Sequence, residues 1–136
     1  MRFGSRDWIE AVVAALNRQQ DLSRALVGIG ADGAFVVEAE RPVWPGDVAA
    51  YARHERGRLV EWRLLDDPDD ILELEPAYVV RAPYGTWKGL FNGADPVKAA
   101  LSGRVRVEGD LEGLVRRSGF RYVIDAALAA VATEFP

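Results

Sequence analysis

The hydrophobic pattern of this chain changes period twice along its length, and that constrains the fold more than any other feature. Residues 5–19 place Trp8, Ile9, Val12, Val13 and Leu16 at helical spacing, with Ser5 as N-cap and Asp7 in the first turn. From Gly33 onward the period shortens to that of a strand. Phe35, Val36 and Val37 form a β-branched and aromatic run, and residues 47–55 and 59–65 flank Arg56-Gly57 as the arms of a hairpin. In the second arm Val60, Trp62 and Leu64 fall on one face and Glu61 and Arg63 on the other, with Leu59 and Leu65 breaking the polar side. Further strands are expected at residues 77–82 and 103–108; in the latter Val105 and Val107 alternate with Arg104, Arg106 and Glu108.

Helical signals then return, each with its own start and stop chemistry. Thr86 is placed to cap a short helix through Trp87, Leu90 and Phe91 that stops at Gly93. Asp95-Pro96 sets an N-cap before a proline at the first helical position, with Gly103 at the exit. Asp110 is placed to cap residues 111–117, ending at Gly119. The last segment, residues 120–134, aligns Phe120, Val123, Ile124, Ala127, Leu128 and Val131 on one stripe. Strands gathered in the middle and helices at the ends predict α+β, not alternating α/β. The 136 residues suffice for one core, and no repeat, low-complexity tract or long linker interrupts them, so a single domain over residues 1–136 is expected.

The side-chain inventory removes most chemistry. With no cysteine and one histidine, His54, the chain has no means to form disulfides, thiolate nucleophiles or Cys/His zinc sites, and any Ser-His-Asp triad would have to use His54. A net charge of −4 opposes phosphate, so neither nucleic acid nor an anionic membrane surface is expected as partner. Residues 1–7 have no apolar run of signal-peptide length behind them, and the most apolar stretch, residues 126–132, falls far short of the ~20 residues that span a bilayer. A soluble, cytoplasmic protein is the expectation.

Four local motifs suggest chemistry and fail on context. Gly28-Ile29-Gly30-Ala31-Asp32-Gly33 spells GxGxxG, but the glycines lead into a strand instead of opening a helix, so they read as a turn. Asp66-Asp67-Pro68-Asp69-Asp70 clusters four carboxylates without the glycine and glutamate that a calcium loop needs, and reads as a solvated turn. His54 falls beside the hairpin turn and reads as an exposed strand-end residue. Ser102 has no glycine two positions upstream and forms no nucleophile elbow. No enzyme activity, metal or cofactor is expected.

What remains is apolar surface. Trp87, Leu90, Phe91, Val97, Leu101, Leu111, Leu114, Val115 and the stripe from Phe120 supply more than five short strands need on one face. Such a surplus either fills a core or lines a cavity for an apolar ligand, and periodicity does not separate the two.

Read in order, Tyr78-Val79-Val80-Arg81-Ala82-Pro83-Tyr84-Gly85-Thr86-Trp87-Lys88 and the segment from Asp95-Pro96 through Ser102-Gly103-Arg104-Val105-Arg106-Val107 to Glu108-Gly109-Asp110-Leu111 resemble the sterol carrier protein type 2 family. The resemblance runs from about Gly33 to Asp125. It implies a mixed five-stranded sheet with helices packed on one face, enclosing a hydrophobic tunnel, and the binding or transfer of a fatty acid, fatty acyl-CoA or sterol-like lipid without catalysis. The residues it assigns to the ligand are Trp87, Leu90, Phe91, Leu101, Leu114, Phe120, Val123, Ile124, Ala127, Leu128 and Val131. Alanines at 126, 127, 129 and 130 would leave room there that leucine would fill. The head group would meet one of Arg81, Lys88, Arg116 or Arg117. The final Thr133-Glu134-Phe135-Pro136 departs from the Ser-Lys-Leu type ending of peroxisomal members. The alternative is an interaction module, or homodimer, built on the same apolar surface.

Overall fold

The computed structural model describes residues 1–26, 30–109 and 125–136. Its central strand, β1 (Asp32–Glu38), pairs antiparallel with β2 (Val48–Glu55) and parallel with β4 (Tyr78–Pro83). Outside these lie β3 (Arg58–Leu64), antiparallel to β2, and β5 (Arg106–Gly109), antiparallel to β4. The result is a mixed five-stranded sheet of order β3-β2-β1-β4-β5, as expected for α+β. β5 is shorter than the alternation suggests. Arg104 N and Val105 N still donate to Ala99 O, at 3.0 and 3.2 Å, which holds both residues to the end of the preceding helix.

The hairpin turn forms where expected. Arg56 and Gly57 both take positive φ, +52° and +74°, the pairing a two-residue turn needs to match strand twist. The face assignment in β3 needs correcting at one residue. The register shifts so that Arg53 opposes Glu61 while His54 opposes Leu59, leaving Val60 as an extra residue. This bulge turns Val60 to solvent, 48% exposed, and brings Leu59 onto the face of Trp62 and Leu64.

Helix α1 (Arg6–Asn17) starts as read, with Ser5 Oγ accepting from Trp8 N at 3.2 Å, and buries Trp8, Ile9, Val12, Ala15 and Leu16. A one-turn α2 (Leu22–Ala25) follows. The acidic cluster opens a helical turn: Asp67 Oδ1 accepts from Asp69 N at 2.9 Å and leads through Pro68–Asp70 into α3 (Ile71–Leu74). Helix α4 (Tyr84–Phe91) begins two residues before Thr86, because Glu40 Oε1, from across the chain, accepts from Gly85 N at 2.6 Å and supplies the cap expected of Thr86. Helix α5 (Pro96–Leu101) has its proline at the first position, as read. The helix expected over 111–117 lies outside the described residues.

The last helix is described over residues 125–129 and ends well before 134. The backbone beyond it is claimed by the N-terminus: the Met1 amino group donates to Ala132 O at 2.9 Å, Phe3 N to Glu134 O at 2.9 Å, and Glu134 N to Met1 O at 2.8 Å. Phe3 then packs against Trp8, Trp44, Tyr84, Phe91 and Phe135.

Both faces of the sheet are covered. α1, α2 and α4 pack on the face carrying Val37, Val48, Ala50, Leu59, Trp62 and Leu64. The other face holds a smaller core of Ala34, Val36, Ala49, Tyr51 and Val79, closed by Leu65, Ile71 and Leu74.

Asn17 fixes α1 to the sheet edge. Its side-chain amide donates to Leu59 O and its carbonyl oxygen accepts from Leu59 N, both at 3.0 Å. Asn17→Ala should therefore lower stability by about 1–3 kcal/mol, two net hydrogen bonds, in urea denaturation.

Candidate ligand cavity

The helix-facing side of the sheet has a floor of uneven height. Ala50 and Ala52 occupy its middle, while Trp62 and Leu64 on β3 and Phe35 and Tyr78 on β1 and β4 stand higher around them. Phe35 stacks on Trp62, centroids 5.6 Å apart, and meets Tyr78 edge-on at 6.0 Å. Overhead run Trp8, Ile9, Val12 and Leu16 of α1, then Leu22 and Leu26, with Trp87 and Phe91 of α4 and Leu128 closing the side. The helices rest on the tall side chains and do not fill the low middle. A cavity of about 230 Å³ remains between the layers.

Gly33 is required by this geometry. A Cβ there would lie 2.2 Å from Tyr78 Cε2 and 2.8 Å from its hydroxyl oxygen, so the tyrosine ring occupies the space over the glycine. The glycine run, read as a turn, thus also provides a close approach between strands; Gly28 and Ile29 lie outside the described residues.

Polar groups at the cavity are few. Trp8 Nε1 donates to Thr133 Oγ1 and Trp87 Nε1 to Val36 O, each at 2.9 Å. His54 corrects its reading as an exposed residue: it is half-buried, lines the cavity, and its Nε2 meets Gly30 O at 2.8 Å. Tyr78, 7% exposed, has its phenol pushed up to about 12, first by burial and second by the Asp32 carboxylate. That carboxylate is itself held, accepting from Ala77 N and from the Tyr51 hydroxyl at 2.8 Å each.

Of the residues the sequence assigned to a ligand, Trp87, Phe91 and Leu128 line this cavity. Ala127, 0% exposed, and Val131 are packed in the core beside it, and Leu90 is half-buried off the lining. Leu101 is a correction. It sits at the end of α5 with 83% of its surface in solvent, because the helix is too short to carry it back over the sheet. Leu114, Phe120, Val123 and Ile124 lie outside the described residues, as do Arg116 and Arg117. Arg81 faces Glu108 at 3.6 Å, and Lys88 lies over the Phe135 ring at 5.9 Å; neither lines the cavity. The sequence reading missed the contribution of α1 and of β1 to β3, whose signal was present in the alternation of Val48, Ala50 and Ala52.

Among the described residues no three carboxylate or imidazole groups converge as a metal site, and no helix is long and apolar enough to cross a membrane. No family model matches the chain, and no curated protein matches it. Solved structures do. The solution structure of a conserved hypothetical protein of Thermus thermophilus, described as possibly a sterol carrier protein, superposes with a TM-score of 0.73 at 19% identity, covering 94% of this chain and 89% of that one. A crystal structure of sterol carrier protein 2 gives 0.68 at 18% identity, covering 93% and 94%. The chain has the sterol carrier protein 2 fold. The apo form of sterol carrier protein 2 from Yarrowia lipolytica agrees, with a TM-score of 0.61 at 10% identity over 88% of each chain.

Within this sterol carrier protein 2 fold two phenols make stability depend on alkali. Tyr51 and Tyr78 are both pushed up to about 12, by burial first and Asp32 second, against an ordinary value near 10. A raised folded-state pKa stabilises fully below the unfolded value and is lost as pH climbs through the folded one. Stability should therefore hold to about pH 10 and decline toward about 12, with the tyrosinate absorbance of these residues rising as the tryptophan fluorescence of the folded state is lost.

Proposed function

We propose that this chain binds and carries an apolar ligand, a fatty acid, fatty acyl-CoA or sterol-like lipid, without catalysis. One observation carries the reading: unfilled, apolar-lined space of about 230 Å³ between the layers of a sterol carrier protein 2 fold. Close-packed interiors hold few voids larger than a water molecule. An engineered apolar cavity of ~150 Å³ in another protein takes up benzene, and pockets for drug-sized ligands begin near ~300 Å³. The space here suits an acyl chain and leaves a coenzyme A moiety outside.

The energetics of burial are sufficient. Each CH₂ withdrawn from water contributes ~0.8 kcal/mol, so a sixteen-carbon chain offers ~12 kcal/mol gross, reduced by the entropy of ordering it. Micromolar affinity needs ~8 kcal/mol. Binding by burial needs no nucleophile, and His54 and Tyr78 are the two titratable side chains among the described lining residues. Pairing of two chains through the same apolar residues needs them at the surface, where Leu101 alone of the described set is largely exposed.

Native mass spectrometry of freshly purified protein should reveal bound lipid, and a fluorescent fatty acid should bind and be displaced by acyl-CoA. Clean protein that takes up no probe overturns the proposal. Two neighbouring alanines separate cavity from core: Ala49 is fully buried in the second core, and Ala50 lines the cavity. Ala50→Leu should weaken probe binding about tenfold or more, with stability within about 1 kcal/mol of wild type. Ala49→Leu should overpack, costing about 1–3 kcal/mol, and leave probe affinity of the folded protein unchanged.

A further inference from the structure

One strand gives the cavity a continuous row of side chains that changes character at its end. Alternation along β2 sends Val48, Ala50, Ala52 and His54 to the helix-facing side, and all four line the cavity. Three are apolar and the fourth carries an imidazole. Six steps of ~3.3 Å make the row about 20 Å long.

The two ends meet different neighbours. Val48 pairs with Val37, and Trp87 Nε1 donates to Val36 O at 2.9 Å, which places the α4 aromatics Trp87 and Phe91 at that end. His54 lies at the other end, beside the hairpin turn, where Leu59 opposes it and α2 contributes Leu22. α2 rests on that turn: a Cβ on Gly57 would lie 2.3 Å from Ser23 Cβ.

The half-buried His54 is fixed at two points. Its backbone N donates to Ala31 O at 2.9 Å, and its Nε2 lies 2.8 Å from Gly30 O. A carbonyl oxygen only accepts, so Nε2 carries a proton in either charge state and Nδ1 is the nitrogen that titrates. Protonation adds a second donor and a positive charge while the bond to Gly30 O stays intact.

The charged groups on the surrounding elements are engaged with one another or with solvent. Arg53 and Glu55, on the opposite face of β2, pair together, and Arg53 also reaches Glu61 of β3 at 3.6 Å. Arg58 donates to Asn17 O. Asp32 of β1 accepts from Ala77 N and the Tyr51 hydroxyl. Arg18 after α1, Asp21 and Arg24 around α2 and Arg56 in the turn are exposed. Tyr78 of β4 lines the cavity as a neutral phenol, pushed up to about 12 by burial and by Asp32.

An amphiphile laid along this row meets apolar rings at one end and, at the other, a group able to supply both a hydrogen bond and a charge. Withdrawing a carboxylate from water requires both, and a charge-assisted hydrogen bond is about twice as strong as a neutral one. We infer that the ligand is a fatty acid whose carboxylate lies against His54 and draws a proton from solvent onto Nδ1, with its chain running along β2 toward Trp87 and Phe91. This rests on the lipid-binding reading above and specifies the ligand class, its orientation and the residue that meets the head group.

His54 is the single histidine of the chain, so its ring nitrogens are read without ambiguity in protein labelled with 15N-histidine. At about pH 7.5 palmitic acid should move both ring signals toward the imidazolium pattern, while methyl palmitate, of the same chain length without the charge, should bind and leave them unmoved. Linkage requires the reciprocal effect. From about pH 8 to about pH 6, where imidazole gains its proton, the affinity of parinaric acid relative to its methyl ester should rise about three- to tenfold. His54→Gln keeps a donor for Gly30 O and cannot take the charge, and should flatten that rise. Palmitic acid that binds without changing the ring, or an acid-to-ester ratio that follows pH equally in His54→Gln, overturns the inference; the ring signals of wild type decide it if the variant does not fold. If neither acid nor ester binds wild type, the lipid-binding reading itself fails.

Discussion

The close approach of Gly33 and Tyr78 is the contact on which the helix-facing side of the sheet depends. β1 and β4 pair in parallel with these two residues opposite each other, and the tyrosine ring lies where a Cβ at position 33 would be, 2.2 Å from Cε2. Only a residue without a side chain permits this. The ring is thereby held across the sheet, its burial sets its ionisation, and Phe35 packs against it edge-on. Asp32, the residue before the glycine, secures the same corner by accepting from Ala77 N, next to Tyr78, and from Tyr51 on the other face.

From that corner the sheet separates two interiors with different packing. On one face Ala34, Val36 and Ala49, each 0% exposed, lie in a buried core. On the other, Ala50 and Ala52 lie low between taller aromatic neighbours, and the helices span them. The same small residue type thus has opposite effects on adjacent positions of β2: under close cover it permits dense packing, and beneath helices propped on tryptophan and phenylalanine it leaves space. Large side chains around a small-residue floor create volume, and a helix cannot sag into it without losing the contacts on either side.

Much of the fold was legible because local chemistry and tertiary structure agree. Ser5 before a helical stripe, Arg56-Gly57 between two strands and Pro96 at the first position of a short helix each act through neighbours in sequence, and each is realised. Where a distant group intervenes, local reading fails. Glu40 supplies the α4 cap expected from Thr86, the N-terminal residues claim the backbone beyond residue 129, and the bulge opposite Arg53 and His54 moves Val60 to the surface. The candidate site was legible in character and less so in membership. An apolar stripe toward the C-terminus identified Trp87, Phe91 and Leu128, but the floor comes from strands and much of the roof from α1.

The sequence by itself determined that the chain forms an α+β domain core with little reactive chemistry, since composition and period depend on residues one to four positions apart. It also contained the ordered segment whose resemblance pointed to the sterol carrier protein 2 fold. Tertiary structure alone decided whether apolar residues fill space or surround it, and which donors keep a partner. Those outcomes depend on the heights of side chains meeting from β1, β2, β3 and the helices above them. No periodicity along one segment records the gap between two layers.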